Sequence, residues 1–479
     1  METTSPEDRA KAVIIGVRLP GVDEAEHRSS LEELGRLAST LGLDVIGTIV
    51  QKRSSLSKGA VIGAGKLKQL ALWTGGPGVI PSAAKKKTTK AGAHAAVAEE
   101  ATVADELADG DFDETSVDDD GAAEDDGADA SHGPPRGVKA TMVLVDHDIS
   151  PSQARNLERA TDAEVLDRTA VILAIFHRHA RTREARLQVE IARLGYLTPR
   201  LREGVGGGDR VRGGVGGKGA GESALELDRR KIRDRIAELR EELASIERDS
   251  GTRRKRRADQ ATVALVGYTN AGKSSLMRAL TGSDVYVADK LFATLDTTVR
   301  PLHPETKPRV LISDTVGFIK QLPHDLVASF RSTLEEAQEA HLLLHVVDAS
   351  DPAFRAQLAV TRTVLGEIGA LEDASLLLVL NKMDRVDAEG RAALHAELPD
   401  AFMMSAKDPA DVALLHAKIV ALFEARMEEA ELFFPYAEGK RVAEAHAEAR
   451  VLEETYDEAG TRLRVRAPHD VLARLRRVD

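Results

Sequence analysis

Gly267-Tyr-Thr-Asn-Ala-Gly-Lys-Ser274 directly follows the apolar run Ala261–Val266, so a predicted strand leads into a loop of the form G-x-x-x-x-G-K-S. In such a loop the glycines allow backbone N–H groups to wrap around a polyphosphate. Lys273 then supplies positive charge to the outer phosphates, and the hydroxyl of Ser274 is a suitable Mg²⁺ ligand. The pattern predicts a phosphate-binding loop between a strand and a helix.

A second motif, Asn381-Lys-Met-Asp384, follows the apolar run Ser375–Leu380 and indicates which base is bound. The carboxylate of Asp384 can accept hydrogen bonds from both N1–H and the exocyclic amine of guanine, and adenine does not offer that pair. Ser405-Ala-Lys407 follows another predicted strand, Ala401–Met404, and is placed to close over guanine O6. In this order, each at a strand end, the motifs predict a GTP site.

The region between these motifs contains candidates for contacting the γ-phosphate. Asp314-Thr-Val-Gly317 follows an apolar predicted strand, so Asp314 can hold a Mg²⁺-bound water and the Gly317 N–H can contact the phosphate. The threonine-rich segment Leu291–Val299 lies where a switch threonine would complete the Mg²⁺ coordination. Thr294 is the first candidate for that threonine and Thr298 is the second.

Length and composition limit the class of protein. A chain of 479 residues is long for one hydrophobic core and predicts about two to four domains. The absence of cysteine excludes disulfides, thiolate nucleophiles and cysteine-ligated zinc sites. No apolar run approaches the roughly 18 residues of a membrane span, and the acidic segment Met1–Asp8 has no signal-peptide core. We therefore expect a cytoplasmic protein without a membrane span.

Most of the net charge of −12 comes from residues 74–137. That segment contains 15 acidic residues, all between Glu99 and Asp129, and five basic residues, so the rest of the chain is nearly neutral. Its composition, rich in alanine, glycine, aspartate and glutamate, buries too little apolar surface to offset the entropy cost of ordering. We interpret it as a disordered insertion. It serves either as a solvated spacer or, alternatively, as an electrostatic mimic of nucleic acid or a docking tail.

The insertion interrupts a small predicted α/β domain that covers residues 10–180. Apolar strands alternate with a helix on each side of the insertion, which is typical of such domains. The predicted strands are Ala12–Val17, Val45–Val50 and Thr141–Asp146. One predicted helix covers Ser29–Leu41, and a second begins at Ser150.

Residues 181–257 are predicted to form a helical hairpin. Between Leu225 and Ile246, apolar residues recur at spacings of 7, 4, 3, 4 and 3 residues, which is typical of a coiled-coil seam. The expected partner is an antiparallel helix over Thr182–Leu197. Leu187, Ile191 and Leu194 face inward on that helix, and Arg178, Arg181, Arg183, Arg186 and Arg193 decorate a helix that ends near Pro199.

The two helices are joined by a glycine-rich tip, residues 203–222, which carries Arg210, Arg212 and Lys218. One interpretation is a mobile probe that enters an RNA-lined crevice, because cations meet phosphates and glycines allow close approach. The other is a flexible turn with ordinary solvated charges. The basic run Arg253–Arg257 favours RNA slightly, although such runs are usually solvated linkers.

The expected fold class is α/β. Strands alternate with helices over residues 258–428, which predicts a doubly wound P-loop GTPase sheet with its ligand at the carboxyl ends of the strands. Residues 429–479 predict a small C-terminal α/β appendage. Its predicted elements are a segment Leu432–Tyr436, a helix near Arg441–Arg450, a turn over Glu453–Gly460 and a strand Thr461–Arg466.

The chain resembles the HflX family of the Obg–HflX group of ribosome-associated GTPases. The resemblance covers nearly all of residues 10–430 apart from the insertion. It rests on these motifs: Val266–Ser274, Leu291–Asp296, Asp314–Ile319, Leu322-Pro-His324, Asn381–Asp384, Ser150–Gln153, Arg155-Asn-Leu157, Leu166–Thr169, Gly221-Glu222 and Leu225–Arg230.

The resemblance implies a monomeric GTPase that binds GTP and GDP and associates with the large (50S) ribosomal subunit and its RNA. It implies dissociation of stalled or idle ribosomes under stress, with the tip reaching toward the peptidyl-transferase region. The implied Mg²⁺ ligands are Ser274 and Thr294, and Lys273, Thr294, Gly317 and Asn270 are the implied catalytic residues. The implied nucleotide contacts are Gly267, Tyr268, Thr269, Asn270, Ala271, Gly272, Lys273, Ser274, Phe292, Ala293, Thr294, Leu295, Asp296, Asp314, Thr315, Val316, Gly317, Asn381, Lys382, Met383, Asp384, Ser405, Ala406 and Lys407.

Hydrolysis is expected to be slow without the ribosome. Many GTPases place a glutamine after the glycine equivalent to Gly317, but this chain has Phe318, which cannot orient the attacking water. Asn270 offers a compensating feature, because an asparagine at this position in related GTPases can ligate K⁺ beside the phosphates. K⁺ is therefore a second expected activator beside Mg²⁺.

Two alternatives to a ribosome-stimulated enzyme stay open at this point. One is a nucleotide-gated module that binds RNA or the ribosome with little turnover. The other is an RNA-remodelling factor that uses ATP at a second site in the N-terminal domain. The nearest candidate for such a site, Gly63-Ala-Gly-Lys66, lacks the spacing and the following Ser or Thr of a phosphate loop, so we interpret it as a helix-start turn.

Overall fold

The structure is a computed structural model and describes residues 9–56, 59–80, 138–201, 224–255, 260–283, 291–292, 294–295, 297–307, 309–320, 331–371 and 374–476. The predicted insertion beyond residue 80, the glycine-rich tip and Leu322-Pro-His324 lie outside these residues, as do the candidate site residues Ala293 and Asp296. The chain divides into two compact units. Unit 1 comprises Met1–Leu31 and Asp44–Asp167, and unit 2 comprises Glu32–Leu43 and Arg168–Asp479.

Unit 1 is built on a four-stranded parallel sheet with the order β2-β1-β3-β4. The predicted strands are confirmed, and Ser150 begins its helix with a capping box in which its hydroxyl accepts from the backbone N–H of Gln153. Gly63 precedes a helix, as the helix-start interpretation predicts. The elements that begin in this unit are β1 Lys11–Arg18, α1 Glu24–Leu41, β2 Asp44–Lys52, α2 Ala64–Thr74, β3 Met142–Val145, α3 Pro151–Thr161 and β4 Glu164–Asp167.

Unit 2 contains the C-terminal part of α1, followed along the chain by α4 (Arg168–His179), α5 (Arg183–Leu197) and α6 (Ala224–Lys255). Helices α5 and α6 pack through the predicted apolar seam. Arg183, at the start of α5, pairs with Glu242 in the C-terminal half of α6, which fits the expected antiparallel arrangement. The seam consists of Leu187, Ile191 and Leu239 with Leu194, Ile236, Leu243 and Ile246.

A six-stranded sheet with the order β10-β9-β8-β5-β7-β6 follows in unit 2, and the predicted doubly wound α/β fold is confirmed. Its central strands are buried on both faces, as expected when helices cover a parallel sheet. Its elements are β5 Ala261–Gly267, α7 Lys273–Thr281, β6 Thr298–Pro301, β7 Val310–Asp314, α8 Arg331–Gln338, β8 Leu342–Asp348, α9 Phe354–Glu367, β9 Ser375–Asn381, α10 Ala388–Glu397, β10 Phe402–Met403 and α11 Pro409–Glu424.

The C-terminal residues form a three-stranded antiparallel sheet with the order β11-β13-β12, packed against two helices around its own apolar cluster. Alternating burial along β11 shows one covered and one solvated face. Its elements are β11 Glu428–Pro435, α12 Gly439–Glu448, β12 Arg450–Tyr456, β13 Gly460–Ala467 and α13 His469–Arg476.

Several sequence-based expectations were wrong in detail. The fourth strand of unit 1, β4, was not predicted. Arg178 lies on α4, and Arg181 lies between α4 and α5, so these two arginines are not on the Thr182–Leu197 helix. Glu453–Tyr456 belongs to strand β12, and the turn is confined to the residues that follow. Strand β6 is antiparallel to β7 in an otherwise parallel sheet. Within the described residues, no helix is long and apolar enough to cross a membrane.

Candidate nucleotide-binding site

The candidate site lies along one edge of the six-stranded sheet. Parallel strands bring their carboxyl ends to the same edge, so the motifs that follow β5, β7, β8, β9 and β10 converge there although they are far apart in sequence. The side chains form three groups: one around the phosphate loop, one around Asp314, and one around Asp384.

The phosphate loop runs from the end of β5 to the start of α7. The ammonium of Lys273 lies inside it and donates to the carbonyl oxygens of Gly267, at 3.0 Å, and Tyr268, at 2.9 Å. Burial lowers the pKa of Lys273 to about 8, against the opposing effect of the Asp314 charge. Gly272 has a φ of +98°, and a Cβ there would lie 2.3 Å from Nδ2 of Asn381, so only glycine fits.

Ser274, Thr294 and Asp314 meet behind the loop. The hydroxyls of Ser274 and Thr294 are 2.6 Å apart, and Oδ2 of Asp314 accepts from Ser274 at 2.7 Å and from Thr294 at 3.1 Å. Thr298, the second candidate, lies on β6 instead.

Asp314 has properties that suit a cation site. Its side chain is fully buried, and Oδ1 has no hydrogen-bond partner among the residues that the structure describes. Burial raises the pKa of Asp314, although Lys273 and the two hydroxyls counteract that effect. Two hydroxyls and a carboxylate are hard oxygen ligands of the kind that Mg²⁺ prefers, so the donor set fits this metal. Among the described residues, no group of three or more His, Cys, Asp or Glu side chains is placed to hold a metal ion.

The base-recognition group is centred on Asp384. Its Oδ1 accepts from the hydroxyl of Ser405 at 2.8 Å, and Nζ of Lys407 is 3.6 Å from its Oδ2. The hydrogen bond from Ser405 lowers the pKa of Asp384, so the carboxylate is ionised and available as an acceptor. Ser405 is itself fixed by its backbone N–H, which donates to Asp411 at 2.8 Å.

Asn381 links the base and phosphate ends of the site. Its Nδ2 donates to the carbonyl oxygen of Ala271, in the phosphate loop, at 2.9 Å. Its Oδ1 accepts from the backbone N–H of Ala406 at 3.0 Å. The side chain is 1% exposed, so both bonds are shielded from water.

A contact that the sequence analysis missed fixes Lys382. Its ammonium donates to Oδ2 of Asp348, at the end of β8, at 2.7 Å and to the carbonyl oxygen of Asn270 at 2.8 Å. Asn270 has a positive φ of 60°, and its side chain is exposed. Asp348 follows an apolar strand as Asp314 does, and that position at a strand end was the available signal.

The residue after Gly317 faces away from the site. Phe318 is 2% exposed and packs in an apolar cluster with Val266 and Leu343. Its backbone pairs with the phosphate loop, because Thr269 N–H donates to its carbonyl at 2.8 Å and its own N–H donates to Gly267 at 3.1 Å. Phe318 therefore contacts the phosphate loop through its backbone, while its side chain packs in the core.

Several other predicted contact residues have buried side chains. The Thr315 hydroxyl donates to the carbonyl of Leu265 at 2.7 Å. Phe292 packs edge-on against Phe176 of α4, with ring centroids 4.6 Å apart. Val316, Met383 and Leu295 are also buried.

Comparison with known proteins shows which family the chain resembles. The family described as "50S ribosome-binding GTPase" matches residues 262–382. The families described as "GTP-binding GTPase N-terminal" and "GTP-binding GTPase Middle Region" match residues 28–76 with 135–177, and residues 179–257. GTPase HflX of Gluconacetobacter diazotrophicus is 55% identical over 477 residues, which cover 100% of this chain and 99% of that protein. The chain belongs to the HflX GTPase family.

Two further HflX relatives show how widely the match extends. GTPase HflX of Caldanaerobacter subterraneus subsp. tengcongensis is 35% identical over 473 residues, which cover 98% of this chain and 94% of that protein. GTPase HflX of Escherichia coli K12 is 42% identical over 334 residues, which cover 69% of this chain and 78% of that protein. The HflX assignment agrees with the P-loop fold and with a site arranged for a guanine nucleotide.

Proposed function

We propose that this HflX-family GTPase binds the large ribosomal subunit and uses its GTP cycle to dissociate stalled or idle ribosomes under stress. It acts in the cytoplasm as a monomer that associates with ribosomes. The observation that carries the proposal is the match of residues 262–382 to the 50S ribosome-binding GTPase family, a range that includes the phosphate loop, Asp314 and Asn381. The helical hairpin supports it, because its tip carries Arg210, Arg212 and Lys218 for contact with RNA phosphates.

In the proposed site, Ser274 and Thr294 would hold Mg²⁺, and Asp314 would hold a water bound to it. The metal would neutralise charge on the β- and γ-phosphates. Lys273 contacts the outer phosphates, and the N–H of Gly317 contacts the γ-phosphate. Asp384 accepts from guanine N1–H and the exocyclic amine, while Ser405 and Lys407 close over the base.

The proposed mechanism has slow turnover without the ribosome. The side chain at position 318 cannot orient the attacking water, because Phe318 is buried in the core. The exposed side chain of Asn270 would instead hold K⁺ beside the phosphates and supply charge there. Contact with the large subunit then completes the arrangement that hydrolysis needs.

The test is GTP turnover by the purified protein, alone and with added large ribosomal subunits, with Asp384→Asn as the control. We expect large subunits to stimulate GTP turnover by the wild type strongly and not to stimulate GTP turnover by Asp384→Asn. Equal turnover with and without subunits would reject the ribosomal function and leave a guanine-nucleotide enzyme with another partner.

The same preparation separates the alternatives. If subunits dissociate as fully with a non-hydrolysable GTP analogue as with GTP, the protein acts as a nucleotide-gated module, and hydrolysis serves its release. Turnover of ATP that persists in Asp384→Asn would instead support an RNA-remodelling factor with a second nucleotide site.

A further inference from the structure

The phosphate-loop residue Tyr268 makes contacts that nucleotide binding does not explain. Its side chain is 4% exposed, and its hydroxyl donates to Oε1 of Glu33, on α1, at 2.5 Å. The same hydroxyl accepts from the backbone N–H of Lys320 at 2.7 Å. One phenol therefore joins the phosphate loop, helix α1 and the segment that follows Gly317, and all of these residues belong to unit 2.

The carboxylate of Glu33 is held in place from its other side. Its Oε2 forms an ion pair with Arg168, the first residue of α4, and the two residues are 4% and 1% exposed. Removing one partner of a buried ion pair is strongly destabilising, so this geometry is tightly specified. Burial, reinforced by the Glu33 charge, raises the pKa of Tyr268, so the phenol keeps its proton and remains a donor.

The segment 317–320 is attached to the phosphate loop at successive points. The two backbone hydrogen bonds of Phe318 fix its start, and the Tyr268 hydroxyl fixes the N–H of Lys320 two residues later. Gly317 lies close to the phosphate loop, because a Cβ there would be 2.9 Å from Cα of Thr269. The position of this backbone matters for rate, since preorganised N–H donors act only when they are already aimed at the developing charge.

We propose that Tyr268 is a positioning residue for GTP hydrolysis: its hydroxyl, held by Glu33 and Arg168, fixes the backbone from Gly317 to Lys320 in the geometry that the reaction requires. Because the side chain at position 318 is buried in the core, the chain relies on backbone placement in this segment. The inference rests on GTP hydrolysis at the proposed site and is independent of ribosome binding.

The test compares Tyr268→Phe with the wild type in single-turnover GTP hydrolysis without ribosomes. Tyr456→Phe is the matched control, because its hydroxyl bonds to Glu454 on an exposed surface. We expect the rate constant of Tyr268→Phe to fall roughly tenfold, while its Kd for GDP stays within about twofold. Hydrogen exchange of the Lys320 amide should become faster in the variant, and Tyr456→Phe should match the wild type in all three measurements.

A second variant tests the same hydroxyl through its partner on α1. Glu33→Gln keeps an acceptor for the phenol but removes the charge that pairs with Arg168, so we expect a smaller loss of rate. Glu32→Gln, at an exposed position on the same helix, is its control. Tyr268→Phe combined with Glu33→Gln should be little slower than the slower single variant, because both act through one hydroxyl.

Wild-type rates in both Tyr268→Phe and Glu33→Gln would overturn the inference and leave ribosome binding untouched. Parallel losses of rate, GDP affinity and melting temperature would also overturn it, because they indicate a purely structural role. Conversely, a failure of large subunits to stimulate the wild type would reject the ribosomal function and leave this comparison of basal rates intact.

Discussion

Substituting Asp348 by asparagine tests whether the end of β8 controls nucleotide affinity. In the structure Oδ2 of Asp348 accepts from Lys382 at 2.7 Å, while Oδ1 accepts from both the N–H and the hydroxyl of Ser350, at 3.0 and 2.6 Å. An asparagine has only one acceptor oxygen, so it can satisfy the Ser350 N–H or Lys382 but not both. The side chains of Asp348 and Lys382 are 14% and 16% exposed, so water replaces the lost bond poorly.

The size of the effect follows from the bond that is lost. A hydrogen bond to a charged group contributes about 1.5–3 kcal/mol. Lys382 keeps its second acceptor, the carbonyl of Asn270, so we expect the lower end of that range. About 1.4 kcal/mol corresponds to a tenfold change, so the Kd for GTP should rise roughly tenfold. The turnover number should change little, since Asp348 contacts Lys382 and not the group around Asp314.

The assay is an equilibrium titration with a fluorescent GTP analogue, together with kcat and the melting temperature. Asp400→Asn, at an exposed position, is the control for the loss of one surface charge. Asp348→Asn in a Lys382→Met background should have little further effect, because the two side chains act as a pair. An unchanged Kd with a lowered melting temperature would refute the reasoning and leave Asp348 as a structural residue only.

Three shorter predictions concern other residues of unit 2. Gly317→Ala should slow hydrolysis at least about tenfold with little change in GDP affinity, because its Cβ would lie 2.9 Å from Thr269; normal turnover would show that this backbone can shift. Turnover should be faster in K⁺ than in Na⁺, and Asn270→Ala should remove the difference; equal wild-type rates would reject the K⁺ site. Burial lowers the pKa of His345 to about 3, so the folded protein keeps this imidazole neutral between pH 6.5 and 3, and the free energy of unfolding decreases as pH falls through that range. The unfolded chain takes up that proton first, so His345→Leu should remove about 1.4 kcal/mol of destabilisation at pH 5.5, as measured by urea unfolding at pH 7.5 and 5.5. An unchanged pH dependence would contradict this.

The motifs at strand ends could be predicted because each is local. A buried strand has a recognisable apolar run, and the residue after it must lie at the edge of the sheet. For that reason Lys273, Asp314 and Asn381 could be placed together from the sequence alone, and the structure brings their groups to one edge.

The errors occurred where local patterns are weak. Strand β4 has four residues between two helices, which is too short for a periodic signal. Strand β12 is mostly polar and lies at a sheet edge, so Glu453–Tyr456 was misinterpreted as part of a turn. No glycine or proline separates α4 from α5, and only the cap formed by Thr182 marks the boundary.

The network around Tyr268 could not be predicted from the sequence, because Glu33 and Tyr268 are 235 positions apart. The available signal was indirect. Glu33 lies on the face of α1 that carries Leu34 and Leu37, where a carboxylate is costly without a partner. Such a position indicates that a partner exists but does not say which residue it is.

The side chain of Asn381 has a consequence for how the sequence can vary. Its amide donates one hydrogen bond and accepts another, and the two partners are backbone groups of different loops. The site offers no space for a larger group beside Gly272. Aspartate lacks the donor, leucine lacks both groups, and glutamine is too long. In a saturation library selected for nucleotide binding, we therefore expect only asparagine to survive at position 381, whatever the hydropathy of the substitute. Each variant that fails should have lost the contacts to the base and to the phosphates together.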